Sequence, residues 1–256
     1  MSLHVRVQGQ GQDLVLLHGW AMHGGVFDEL LPSLATQYRV HCIDLPGHGQ
    51  SRYHGEMNSL QQLAAAVQPH VPPNAIVLGW SLGGQVALQL AQQMPLHALI
   101  LVSSTPRFVA GDNWQSGMPE ETFAQFFARL HENHGRTVQD FLSLQVRGDA
   151  HAAVTLSSLK HSLLLYPAVT EALYDGLNIL RDTDLRPILA SIRIPALVIS
   201  GEYDRITHPD AGEYLAQAVP FAQFALCRRA GHAPFISHPG WFLEQQQQFV
   251  RAYPVK

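Results

Sequence analysis

Short apolar runs alternate with amphipathic stretches along most of this chain. DLVLLHG, YRVHCIDLPG, AIVLGWS, HALILVSS, PALVISG and AQFALCRR are aliphatic and β-branched, which predicts strands. SLQQLAAAV, LGGQVALQLAQQM, DAGEYLAQAV and GWFLEQQQQFVRAY repeat apolar residues at helical spacing, and the glutamines at 245–248 fall on the polar face of the last. Strands that alternate with helices predict an α/β fold: a mostly parallel sheet with helices on both faces.

The alternation stops between residues 107 and 187. Phe123, Phe126, Phe127 and Leu130 follow one helical face, and Val138, Phe141, Leu142 and Gln145 a second. Leu156, Leu159, Leu163 and Leu164 make a third, and Leu173, Leu177 and Leu180 a fourth. One crossover helix suffices to join two parallel strands, so this block reads as an inserted helical cap over residues 107–187. The α/β core is then 1–106 and 188–256. Ligands bind at the carboxyl ends of strands in such sheets, and a cap there would wall a pocket.

Of 256 residues, 46% are hydrophobic and 14% charged, enough apolar material for a sizeable core. The net charge of −4 supplies no basic field for nucleic acid or an anionic membrane. No basic stretch followed by a long apolar one opens the chain, and no run has the length of a membrane span. The cytoplasm is therefore the expected compartment, and a monomer the expected state. Cys42 and Cys227 lie in strand-like runs and read as small buried hydrophobes.

Candidate chemistry starts at Gly79-Trp80-Ser81-Leu82-Gly83, which fits the nucleophile elbow G-x-S-x-G between a strand and a helix. Glycines on either side of Ser81 remove side chains that so sharp a turn would crowd. A serine nucleophile needs a base, and the base an orienting acid. In the order Ser…Asp…His both follow the elbow: Asp204 comes just after PALVISG, and His232 just after AQFALCRR. Asp44 and His18 precede the serine, and His208 has no strand to aim it. The oxyanion needs backbone N–H donors. Leu82, opening a helix, and Trp20, in the loop after the first of these strands, are the candidates. His131 and His134 in HENH lack the spacing of a zinc helix, and no glycine-rich nucleotide loop is present.

LLHGW, DLPGHGQS, GWSLGG, PALVISGEYD and AGHAPFISHP together resemble the α/β-hydrolase superfamily over nearly the whole chain. More narrowly, GWSLGG, RTVQDFLSLQ, TDLR and HAPFISHP are similar to the pimeloyl-[acyl-carrier protein] methyl ester esterases of biotin synthesis. The resemblance implies an α/β-hydrolase fold, a Ser81–His232–Asp204 triad, and N–H donors from Trp20 and Leu82. It implies acyl-chain contacts from Phe141, Leu142, Ser143, Leu144 and Gln145 of the cap, no cofactor or metal, and acyl-carrier protein as the partner bearing the substrate. An acidic carrier calls for a basic docking face, for which Arg129, Arg136, Arg147 and Lys160 are candidates. Asp140 and Asp149 interrupt it, and positions 153 and 157, where family members can carry arginine, are alanine and serine.

The expected function is thus a serine carboxylesterase that frees pimeloyl-carrier and methanol from the methyl ester. A general short-chain esterase or carbon–carbon bond hydrolase is the alternative within the triad enzymes. A hydrolase-fold ligand receptor with little turnover is the alternative of another class, against which a complete triad argues.

Overall fold

The computed structural model describes residues 2–55 and 57–254. Among the described residues, seven strands form one sheet: β1 (Val5–Gln8), β2 (Gln12–Leu17), β3 (Tyr38–Ile43), β4 (Ile76–Trp80), β5 (Ala98–Val102), β6 (Ala196–Gly201) and β7 (Ala222–Cys227). Their spatial order is β1-β3-β2-β4-β5-β6-β7. Only β1 runs antiparallel; every other neighbouring pair is parallel. The edge strand β1 carries too few apolar residues to stand out in the sequence and is half-buried to exposed.

Successive residues of the central strands feed opposite cores. Val15, Leu17, Val77, Leu99, Leu101 and Val198 enter one apolar cluster, whereas Leu14, Leu16, Ile76, Leu78, Ile100, Val102, Leu197 and Ile199 enter the other. Each fully buried aliphatic side chain is worth about 1.5–3 kcal/mol. A one-residue slip would exchange the two sets, so packing fixes the register. Helices α2 (Leu60–Val67), α3 (Leu82–Gln93) and α8 (Pro209–Ala218) cover the first face. Helices α1 (Leu31–Leu34), α9 (Pro234–Ser237) and α10 (Pro239–Ala252) cover the second.

Between β5 and β6 stand α4 (Glu120–Glu132), α5 (His134–Gln145), α6 (Ala152–Leu165) and α7 (Thr170–Asp182). Acids in the first turn of α4 and basic residues in its last complement the helix dipole, and Asn133 caps α5 by accepting the Arg136 N–H. Helix α5 bridges both cores: Val138 and Phe141 join one cluster, and Leu142 and the C-cap Val146 the other. The predicted apolar face of α6 differs from the observed one. Leu159 is fully buried, but Leu164 is 74% exposed, because α6 presents apolar residues all round and only one side meets the core.

Candidate active site

Strands β2 to β7 all end at one carboxyl edge of the sheet, and the loops after β2, β4, β6 and β7 carry the candidate residues. The strand register brings these ends together: Leu17 pairs with Gly79 across β2 and β4, and Gly201 with Cys227 across β6 and β7. Trp20, Ser81, Asp204 and His232 follow them in that order.

Ser81 sits at the turn into α3 with φ 55° and ψ −116°. A non-glycine residue there costs about 1–3 kcal/mol and persists only where its surroundings impose it. The imposing contacts are visible. A Cβ on Gly79 would overlap the Gly83 carbonyl, and one on Gly83 the Leu17 carbonyl. The β5 end pins the turn as well: Ser81 N–H donates to the Val102 carbonyl at 2.9 Å, and Ser104 Oγ donates to the Ser81 carbonyl at 3.0 Å.

His232 and Asp204 are almost fully buried. His232 Nδ1 lies 2.7 Å from Asp204 Oδ2, while Asp204 Oδ1 accepts the Ile206 and Thr207 N–H groups at 2.8 and 3.0 Å. Thr207 Oγ1 sits 2.9 Å from both Asp204 Oδ2 and the Ser103 carbonyl, joining the Asp204 loop to the β5 end. The His232 carbonyl accepts the Trp80 indole N–H at 2.8 Å, so the residue before Ser81 holds the backbone of the imidazole's residue. Among the described residues, neither Ser81 Oγ nor His232 Nε2 makes a hydrogen bond. Thr207, Ser104 and Trp80 escape a reading of the sequence. The polar triplet Ser103-Ser104-Thr105 directly after a strand is a signal that could have pointed to Ser104; Thr207 and Trp80 leave none.

Two backbone donors stand beside Ser81. Among the described residues, the Leu82 and Trp20 N–H groups have no hydrogen-bond partner. Gly19 brings the second loop close, since a Cβ there would lie 3.2 Å from Ser81 Cβ. The Gly19 carbonyl, on the same peptide unit as the Trp20 N–H, is held by His18 Nδ1 at 2.8 Å and the Met22 N–H at 3.3 Å. His18 Nε2 accepts the Leu45 N–H at 2.9 Å, so Nδ1 carries the proton; burial lowers its pKa well below the ordinary value. With both nitrogens committed, His18 has no role as a base. Asp44 is likewise spent on the Gly24 and Gln50 N–H groups, and exposed His208 caps α8.

A cavity of about 230 Å³ opens on Ser81. Trp20, Phe108, Phe126, Leu177, Leu180 and Ile206 make it mainly apolar, and Thr122, Arg129, Thr137 and Asp140 add polar edges. The Trp20 ring meets Phe126 and Phe141 edge-on at 5.5 and 5.0 Å, and its indole N–H donates to the Leu173 carbonyl at 2.8 Å.

A family model described as the alpha/beta hydrolase family matches residues 14–245. The chain belongs to the alpha/beta hydrolase family. A relative from Nitrosomonas europaea, named pimeloyl-[acyl-carrier protein] methyl ester esterase, is 42% identical over 245 residues, covering 94% of this chain and 97% of that protein. Another of that name, from Xanthomonas axonopodis pv. citri, is 43% identical over 98% of this chain and 100% of its own. Among solved structures, the esterase EaEST from Exiguobacterium antarcticum has a TM-score of 0.89 at 22% identity, over 97% of this chain and 95% of that one. A bromoperoxidase from Bacillus anthracis reaches 0.88 at 19% identity, over the same shares. At such identities these two structures speak for the fold alone.

In this alpha/beta hydrolase, the residues expected to contact an acyl chain part company. Phe141 and Leu144 line the cavity; Leu142, Ser143 and Gln145 do not. One helix shows one face to a cavity: Leu142 turns into the opposite core, Ser143 is exposed with Oγ on the Gln139 carbonyl, and Gln145 is buried with its carbonyl on the His232 N–H. Arg129, Arg136, Arg147 and Lys160 are all exposed. Asp149, expected among those charges at the surface, is instead buried. The HENH histidines form no pair: His131 stacks on Tyr174 at 4.4 Å, and His134 opens α5. Cys42 and Cys227 are buried free thiols, their pKa values pushed up by burial to about 11 and about 12. Among the described residues, no helix is long and apolar enough to cross a membrane.

Proposed function

We propose that this chain is a serine carboxylesterase that hydrolyses the methyl ester of pimeloyl-[acyl-carrier protein]. One observation carries the chemistry: Ser81, in a strained turn, opens into an apolar cavity beside two uncommitted backbone N–H donors and the His232–Asp204 pair. The full-length relatives at 42–43% identity carry the substrate.

In this reading His232 Nε2 takes the Ser81 proton as Oγ attacks the ester carbonyl. Asp204 keeps the other imidazole proton on Nδ1 and balances the cation that forms. The Trp20 and Leu82 N–H groups receive the oxyanion, and the N-terminus of α3 adds its dipole. Collapse of the tetrahedral adduct expels methanol with the proton from His232. A water activated by the same imidazole then frees the pimeloyl carboxylate. The chemistry calls on no metal or cofactor. Trp20, Phe141 and Leu144 contact the acyl chain, and the carrier docks on the helices between β5 and β6, residues 107–187, through Arg129, Arg136, Arg147 and Lys160.

The test is turnover of carrier-bound pimeloyl methyl ester, with labelling by a serine-directed fluorophosphonate beside it. Ser81→Ala should lose both the label and about 10⁴-fold or more in kcat while keeping its melting temperature. Wild-type turnover by Ser81→Ala would overturn the reading. Labelling without turnover of any ester would favour the receptor.

A further inference from the structure

Asp149 is a buried carboxylate with no ion pair within 4 Å among the described residues. Two backbone N–H groups hold it: Gly231 donates to Oδ2 and His151 to Oδ1, each at 2.7 Å. Gly231 precedes His232. Around this bond lie two more between the same segments: His232 N–H donates to the Gln145 carbonyl, and Ala150 N–H to the Arg229 carbonyl, both at 2.8 Å. The turn that presents Asp149 needs Gly148 in the left-handed region, at φ 88°. Gly231 is equally constrained, since a Cβ on it would overlap the Gln145 carbonyl. The loop carrying His232 is therefore clamped on one side by the end of α5 and on the other by the Trp80 indole.

We propose that Asp149 is a positioning residue for His232, aiming the imidazole through the Gly231 N–H and making the base one hydrogen-bonded unit with helix α5. This rests on the triad proposed above. The side chain does not touch substrate; it acts through the backbone of the loop. A buried carboxylate satisfied by N–H groups alone is costly to place for fold stability only, and this one is spent on the residue next to the base. Helix α5 also lines the cavity with Phe141 and Leu144, so wall and base share a frame.

The discriminating variant is Asp149→Leu. Leucine fills nearly the same space and offers no acceptor, so the Gly231 and His151 N–H groups both lose their partner. With a small methyl ester, kcat per titrated active site should fall about 10- to 100-fold, the range of an ångström-scale misplacement, while KM stays within about twofold. Fluorophosphonate labelling of Ser81 should slow in parallel, because it needs the same base. Leu159→Ala, in the neighbouring helix, is the control for lost stability: it should lower the melting temperature and leave kcat per titrated site unchanged. Counting active sites by burst titration restricts both measurements to folded molecules. Wild-type kcat per site in Asp149→Leu overturns the proposal, as does a loss explained entirely by fewer titratable sites. An active His232→Ala would instead overturn the triad, and is run alongside to keep the two failures apart.

Discussion

Asp204→Asn separates the chemistry of the proposed triad from its architecture. The carboxylate is 2% exposed and faces four donors: the Ile206 and Thr207 N–H groups on Oδ1, Thr207 Oγ1 and His232 Nδ1 on Oδ2. In asparagine the carbonyl oxygen keeps both backbone bonds and the amide nitrogen takes the place of Oδ2. One amide proton goes to Thr207 Oγ1, whose own proton has the Ser103 carbonyl at 2.9 Å. The other goes to His232 Nδ1, which must then accept. No buried group is orphaned, so the loss is that of charge-assisted bonding, about 1–2 kcal/mol. For a chain of this size that is a melting-temperature drop of less than about 8 °C. The imidazole, however, now carries its proton on Nε2 and cannot take one from Ser81. Activity should fall about 10⁴-fold, or about 5 kcal/mol at 1.36 kcal/mol per decade. Steady-state kcat on a small methyl ester and a calorimetric melt read the two sides. A variant that keeps more than about a tenth of the activity refutes the tautomer argument. One that loses activity only in step with unfolding refutes the stability side.

Two further outcomes follow from buried and exposed charge. Burial pulls the His48 pKa down to about 4 and lowers that of His18 in the same direction. Between about pH 6.5 and 4 the unfolded rings bind protons that the folded ones refuse, so stability should fall as pH drops through that window and level off for His48 below it. His48 alone accounts for about 3 kcal/mol; urea midpoints from pH 7 to 4 should show the slope, shallower in His48→Leu, and an unchanged slope there contradicts the assignment. On the surface, salt screens charges beyond about 8–10 Å. Rising salt should therefore lower kcat/KM for carrier-bound substrate and leave a small methyl ester nearly unaffected, and Arg136→Glu with Lys160→Glu should mimic it. Equal salt dependence for the two substrates removes the docking face.

The sheet was legible because burial on both faces leaves a mark in one dimension. Runs such as AIVLGWS and HALILVSS are apolar throughout since one core takes their odd residues and the other their even ones. The edge strand β1, half-exposed, left no such mark. The elbow was legible for a steric reason: where backbones cross as closely as at Gly79 and Gly83, only glycine fits. The positions of Asp204 and His232 just past strand ends were legible too, because parallel topology carries every such end to one edge. What only the tertiary structure decided is how those groups are aimed. The indole of Trp80 on the His232 carbonyl, Thr207 between Asp204 and Ser103, and Asp149 on Gly231 join residues up to 152 positions apart. A hydrogen bond between distant segments imposes no period or spacing on the chain. Asp149 shows the limit plainly: in the sequence it stands among surface charges of a helical segment, and one left-handed glycine turns it inward to the loop of His232.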